Sequence, residues 1–464
     1  MHQLLLLSLR NCTFNSEKAG LPGLVFLKTY SACVLLFLIS HAASAQKTWT
    51  LGDCLAFAQT NNLQVQQAGL LQDKSIVQLN TANKSFLPTV NARMRTTGNW
   101  GFLIDPSTNE LSDQFNFGNQ AALNMNWNLF NGFATSHQIK LRTQQVAAAT
   151  YDYQVSSNST SLNIIYAFLQ VLLGQEQLKN SKQRAAYLVE QQRKVKNQVD
   201  KGVLSKRDWL NLQSQVAAEE LQTVYAENGV DKAILNLKQV VGLPLAEDLT
   251  VQTGKISDDW LPTELISAEV VTAAATALPD LKAAQARVEA TQHAWQLERA
   301  SYKPTFALTA QLATRTSNYK TEVFTNQVLD NLNRRVGLSL YVPIANGFLL
   351  RNTDQLAKLN AESAKLNYQQ VERDLSGKVM SALLDYKAAA KKYRVLQLQY
   401  SLLSEEHRYA AKMLELGGLN AMEYSVTRSR LVTAQSELIQ AKYDCFFKQK
   451  TLDFYQGKPL PSVL

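Results

Sequence analysis

The chain has 464 residues, 46% of them hydrophobic and 18% charged, with a formal net charge of +9; this excludes a disordered or collagen-like polypeptide and leaves ample apolar surface for a core. Lys and Arg are spread along helical stretches and do not cluster, so nucleic acid is not an expected partner. The four cysteines, Cys12, Cys33, Cys54 and Cys445, form no CxxC pair, and neither a disulfide framework nor a zinc site is expected.

From the amino terminus, residues 1–45 read as an export signal. Lys28 supplies positive charge, Ala32 to Ser40 is apolar, and Ala43-Ser44-Ala45 is an A-x-A cleavage site before Gln46. A lipoprotein signal through Cys33 is the weaker reading, because Tyr30 stands where a leucine is usual. Past the signal there is no run of about eighteen apolar residues, so a membrane-spanning part must be built of strands.

The remainder is a tandem repeat. Phe86-Leu87-Pro88-Thr89 recurs as Tyr302-Lys303-Pro304-Thr305 at an offset of 216. At an offset of 215, Leu129-Phe130-Asn131-Gly132-Phe133 recurs as Ile344-Ala345-Asn346-Gly347-Phe348, Lys201-Gly202-Val203-Leu204 as Leu416-Gly417-Gly418-Leu419, and Gly242-Leu243-Pro244-Leu245 as Gly457-Lys458-Pro459-Leu460. The first structural repeat is 46–248 with its core at 51–245, the linker 249–265, and the second repeat 266–464 with its core at 266–460.

Each repeat reads as helix, strand, loop, strand, very long helix, Gly turn, long helix. The opening helices, about 51–86 and 267–302, are ended by proline. Beyond Pro88 the period becomes two: Val90, Ala92, Met94 and Thr96 alternate with Asn91, Arg93, Arg95 and Thr97. The returning strand sets Leu123, Met125, Trp127 and Leu129 against Asn124, Asn126 and Asn128. Phe306, Leu308, Ala310 and Leu312, then Val336, Leu338, Leu340, Val342 and Ile344, repeat the pattern. The loops at about 104–114 and 319–333 are polar, and Trp100, Phe102, Phe115, Phe117, Tyr319 and Phe324 cluster at their ends, where an interfacial aromatic girdle belongs. Four strands cannot close a transmembrane barrel, since small ones need about eight, so several chains must pool their strands.

About 70 residues without proline separate Gly347 from Gly417, room for roughly 105 Å of helix. Their apolar positions alternate by four and three through Leu375, Val379, Ala382, Tyr386, Ala389, Tyr393, Leu396, Tyr400, Leu403, His407, Ala410 and Leu414, a sustained heptad seam. The first repeat carries it in weaker form, from Ile164 and Ala167 to Val195 and Val199. Across the Gly turn it continues through Tyr424, Thr427, Leu431, Ala434, Leu438, Ala441 and Cys445, so each repeat ends in a long antiparallel coiled-coil hairpin. The Ala, Gly and Thr in the seam indicate helices with neighbours on more than one side.

Catalytic signatures are missing. His137, His293 and His407 are too scattered for HExxH or a metal triad, and no GxxxxGK[ST], GxGxxG or GxSxG occurs; no enzyme activity and no cofactor are expected. The informative places are the hairpin tips. Gly202 and Gly417 end long helices, and six residues on Asp208 and Glu423 stand in the first turns of the returning helices. They either favour the helix dipole or form a ring of carboxylates gating an aperture, with Lys201, Lys206, Arg207, Arg428 and Arg430 near enough to pair with them.

Taken together, the tandem repeat, the Asn-Gly-Phe entry to each long helix, the Gly turns and the Gly-x-Pro endings make residues 50–460 resemble the TolC-type outer-membrane efflux channels. The resemblance implies an α+β membrane protein: a long antiparallel coiled-coil helical barrel plus a transmembrane β-barrel made by pooling four strands per chain in a homotrimer. It implies an exit duct in outer-membrane lipid, docking through the periplasm onto an adaptor protein and an inner-membrane transporter. The docking motif maps to Gly202, Val203 and Leu204 and to Gly417, Gly418 and Leu419. The family's paired gate acids, three residues apart, map to Glu423 and Val426, so one of the two is missing here, while Asp208 keeps the acid of the first tip. A duct predicts Asn91, Arg93, Asn124, Asn126 and Asn128 lining water, with Val90, Leu123, Met125 and Trp127 on lipid; the rival expectation is an exported coiled-coil scaffold or tether whose strands form a soluble cap.

Overall fold

The computed structural model describes residues 48–104, 109–113, 115–252, 278–318, 323–419 and 421–458; the export signal, most of the linker and Tyr319 lie outside them. They divide into a large unit, Trp49–Glu247 with Val251 onward, and a small one of which Thr48 and Asp248–Thr250 are described. In chain order the elements are β1 (Thr48–Trp49), α1 (Leu51–Asn61), α2 (Leu63–Asn83), a 3-10 turn (Lys84–Phe86), β2 (Thr89–Asn99), β3 (Phe102–Ile104), β4 (Leu111–Asp113), β5 (Asn116–Asn131), α3 (Ala134–Asp200), α4 (Lys206–Val241) and β6 (Thr250–Val251). The second repeat follows with α5 (Pro279–Ala300), β7 (Thr305–Ser317), α6 (Phe324–Asp330), β8 (Asn333–Tyr341), α7 (Leu349–Glu415) and α8 (Ala421–Tyr455).

Three details depart from the expected pattern. The opening helix is broken at Asn62, whose side-chain oxygen accepts from the N–H groups of Gln64 and Val65 at 2.9 and 3.3 Å while its amide donates to the Val240 carbonyl at 2.7 Å. An Asn side chain offers the backbone an alternative to the helix ladder, and this one is pinned to the end of α4. The first loop carries the short hairpin β3–β4. The second carries α6, held to β7 by the Thr314 hydroxyl donating to the Val328 carbonyl at 2.7 Å and the Ser317 N–H donating to Gln327 Oε1 at 3.0 Å.

The four long strands form one antiparallel sheet in the order β2-β5-β7-β8, so the repeats join at β5–β7 and β2 and β8 are its edges. The chain enters α3 and α7 through matching corners, directly from β5 at the first and five residues past the end of β8 at the second, so Val342 and Ile344 fall outside the strand expected to hold them. Gly132 and Phe133 both have positive φ, 64° and 70°, and so do Gly347 and Phe348, 61° and 66°. Two consecutive left-handed residues turn a strand sharply into a helix. At the first corner Asn131 Oδ1 accepts from the Thr135 N–H at 3.3 Å, capping α3. That is the physical content of the Asn-Gly-Phe signal.

The helices α3 and α7 have 67 residues each, about 100 Å at about 1.5 Å per residue. The buried positions of α7 are those of the heptad seam: Leu375, Val379, Ala382, Tyr386, Ala389, Tyr393, Leu396 and Ala410, joined by Ala361 and Leu383. In α3 the stretch around Ile164–Leu173 is buried on nearly all sides, and along its length α3 carries α1, α2, α4, α5 and α8. The expectation of several neighbours holds. The first helix of the second repeat, α5, packs on both α3 and α7, with Arg287 donating to both Asp152 oxygens from across the repeat boundary. Its counterpart α2 packs on α3, leaving Leu63, Leu70, Leu71 and Val77 exposed, while α7 leaves Leu349, Leu356, Leu359 and Leu366 exposed.

Candidate functional site: sheet faces and hairpin tips

Residues opposite one another in an antiparallel sheet share a face. One set of rows joins Asn91 to Asn124 and Gln311, Arg93 to Ala122 and Ala313, and Thr89 to Asn126 and Thr309, while Asn128 stands opposite Ala307. All five polar residues expected on one face are therefore together, and Gln311 Nε2 donates to Asn124 Oδ1 across the strands at 2.9 Å. The alternate rows are apolar: Val90 with Met125, Ala310 and Val336; Ala92 with Leu123 and Leu312; Trp127 with Leu308 and Leu338. From Phe306 to Leu312 this band runs roughly 20 Å along the strand at about 3.4 Å per residue. Val90, Met94, Leu123, Leu312, Val336, Leu338 and Leu340 are all exposed in the single chain.

Leu129 departs from the expected alternation. The register shifts between Asn128 and Phe130, so Leu129 is the extra residue and Phe130 takes the apolar row opposite Phe306. Phe130 then packs edge-on against Phe133 at 5.3 Å. At the loop ends Trp100 and Phe115 stack at 4.8 Å and Phe115 and Phe117 at 6.4 Å; of the expected girdle, Tyr319 lies outside the described residues.

At the far end, Gly202 and Gly417 are left-handed at φ 74° and 73° with open space around them. The N–H of Val203 donates to the Gln198 carbonyl at 2.8 Å and that of Gly418 to the Met413 carbonyl at 2.9 Å, closing the same helix-terminating loop twice. Val203 is 70% exposed, and Leu204 and Leu419 are partly so. Exposed Leu416, beside the second turn, was absent from the expected tip residues although it is a large apolar side chain at a helix end. Asp208 is the acid of a capping box: its Oδ2 accepts from the Ser205 hydroxyl at 2.7 Å and backbone N–H at 3.2 Å, while its own N–H donates to Ser205 Oγ. Glu423 stands in the corresponding first turn of α8.

Sequence reading missed a cluster joining the two hairpins. The Arg428 guanidinium lies over the Tyr187 ring, the Tyr187 and Tyr424 hydroxyls are 3.4 Å apart, and the His407 ring is 5.2 Å from that of Tyr424. Arg428 thus faces an aromatic ring of α3, where pairing with the tip acids was expected. Burial first, then the hydrogen bond to Tyr187, pushes the Tyr424 phenol up to about 12, keeping it neutral. Burial, and then the charge of Arg428, holds His407 below the usual imidazole range; its Nε2 is buried without a hydrogen-bond partner. Burial likewise pushes the Cys54 thiol up to about 12 and that of Cys445 to about 11, so neither is a nucleophile. His137 and His293, read as scattered, have rings 6.4 Å apart, yet no group of three possible metal ligands exists among the described residues. No helix there is long and apolar enough to cross a membrane.

The model of the family described as outer membrane efflux protein matches residues 55–243 and again 270–458, two copies in the register of the internal repeat. The outer membrane protein TolC of Escherichia coli is 23% identical over 409 residues, covering 84% of this chain and 79% of that protein. The alkaline protease secretion protein AprF of Pseudomonas aeruginosa is 21% identical over 308 residues, covering 66% of this chain and 63% of that protein. Among solved structures, the Campylobacter jejuni CmeC outer membrane channel superposes with a TM-score of 0.75 at 18% identity, over 88% of this chain and 85% of that one.

Proposed function

Because the chain belongs to the outer membrane efflux protein family, and is therefore a non-enzymatic channel protein of the outer membrane, we propose that three copies pool their sheets into one barrel and carry cargo outward through it, in small-molecule efflux or protein secretion. The observation that carries this reading is a four-stranded sheet with one apolar face, one polar face and two long open edges, β2 and β8. A finished fold does not leave such edges bare. Pooling satisfies them and turns the apolar rows to lipid and Asn91, Arg93, Asn124, Asn126 and Asn128 to the lumen.

The helices support the same assembly. The exposed apolar faces of α2 and α7 are those that α5 and α3 cover in each other at the repeat boundary, so α2 of one copy fits α7 of the next. The tips at Gly202, Val203 and Leu204 and at Gly417, Gly418 and Leu419 are the docking points for a periplasmic adaptor, through which an inner-membrane transporter drives passage. Asp208 and Glu423 border the aperture, and both carboxylates supply its gating charge.

Planar-bilayer conductance of the detergent-extracted protein, with Glu423→Ala beside the unaltered chain, tests this. A current that rises in the variant is expected. A folded oligomer that fails to insert points instead to an exported scaffold.

A further inference from the structure

The charge on the polar face of the sheet is all of one sign. The register places Arg95 and Arg315 on either side of Gln120, Arg93 in the next row with Ala122 and Ala313, and Arg335 in the row of Asn124 and Gln311. The four strands contain no Asp, Glu or Lys at all. All four arginines are exposed, and none is paired with a carboxylate among the described residues. A fifth, Arg334, stands opposite Leu312 and so faces the other way. Along the sequence the nearest acids, Asp105, Glu110, Asp113, Glu322 and Asp330, all lie outside the four long strands.

Arg95 and Arg315 are two strand spacings apart, about 10 Å, close to the Debye length of about 8–10 Å at moderate salt, so part of their mutual repulsion survives screening. Such a row is relieved by an anion between its members. We propose that this face is an anion-selecting surface: the barrel end of the duct favours cargo bearing carboxylate or phosphate groups over cations. The inference rests on the channel reading above. Rings of Arg or Lys are how pores favour anions, and a guanidinium binds carboxylate and phosphate in a two-pronged fork while staying charged at every ordinary pH. The same four side chains recur in each pooled copy, so their field adds around the lumen.

The test is the reversal potential of the full chain in planar bilayers under a tenfold KCl gradient. Chloride is expected to be several-fold more permeant than potassium. Combining Arg93→Gln, Arg95→Gln, Arg315→Gln and Arg335→Gln is expected to bring the reversal potential close to zero while conductance persists. Single Arg95→Glu and Arg315→Glu changes, each reversing one charge, give the same readout should the combined variant not assemble. A potassium preference in the unaltered protein overturns the inference. So does a reversal potential unmoved by these changes but shifted by Glu423→Gln, which assigns selection to the tips. An inserted trimer passing no current overturns the channel reading itself and the inference with it.

Discussion

The guanidinium carbon of Arg428 lies 3.4 Å from the centre of the Tyr187 ring, tying the returning helix of the second hairpin to the long helix of the first. Among the described residues no other cation–π contact joins the two hairpins; Arg408 over Tyr409 and Lys450 over Phe446 each stay within one helix. A half-buried cation–π contact contributes about 1 kcal/mol. Arg428→Met is therefore expected to speed amide hydrogen exchange around Tyr187 and Tyr424 while leaving exchange in the sheet unchanged. Equal acceleration in the sheet would mean that the contact is not local.

His407 sits in the same cluster with its proton affinity depressed. The unfolded chain then binds the extra proton more readily than the folded one, so stability rises with pH through the window below the ordinary imidazole value and is lost as pH falls through the folded one. Urea midpoints should drop between pH 7 and pH 5, and His407→Gln should reduce that drop. An unchanged slope in the variant removes His407 from the pH response.

The two corner glycines make a matched pair. A Cβ on Gly132 would come within 2.6 Å of the Ala300 carbonyl oxygen, whereas one on Gly347 meets nothing within 4 Å of its own chain. Gly347→Ala should cost only its left-handed backbone penalty, roughly 1 kcal/mol, in the isolated chain; Gly132→Ala should cost distinctly more. Thermal melts of the two variants compare them. In the proposed trimer the repeat relation would set the turn near Lys84 and Leu87 of the next copy against Gly347, so the gap between the variants should narrow there.

Applied to the proposed trimer, the same relation predicts how copies meet. Met125 pairs with Ala310 inside the chain, and their counterparts in the other repeat are Leu340 and Met94. Antiparallel partners have Cβ atoms about 5 Å apart. Leu340→Cys combined with Met94→Cys should therefore cross-link neighbouring copies under mild oxidation, while moving one cysteine by a single residue should not.

On the apolar face, Met125→Leu is expected to be tolerated and Met125→Arg to cost roughly 2–4 kcal/mol near the bilayer midplane. Normal trimers of the arginine variant on a non-denaturing gel would count against lipid on that face.

Much of this was legible because it is periodic. The two faces of the sheet follow from alternation, as in Leu123 against Asn124, and the buried side of α7 from its heptads, as in Val379, Tyr386 and Tyr393. Gly202 and Gly417 announce their turns because a left-handed residue ending a helix is usually glycine. What was hidden depends on partners distant in the chain. Asn62 reads equally well as a helix interior, and only the Val240 carbonyl makes it a cap. Leu129 and Phe130 are adjacent and both apolar, so nothing local marks the bulge. Arg428 and Tyr187 lie on different hairpins with no pattern linking them. Arg315 and Arg335 stand in alternating strands, but alternation gives only their face; the register that sets them in adjacent rows with Arg93 and Arg95 depends on pairing across the repeats.

The open edges β2 and β8 also bear on biogenesis. Among the described residues, a newly exported chain meets water with two open strand edges and an exposed apolar sheet face. Closure of the barrel is consequently a concentration-dependent encounter between chains, in competition with aggregation, and the cell must shelter the monomer until its two companions arrive.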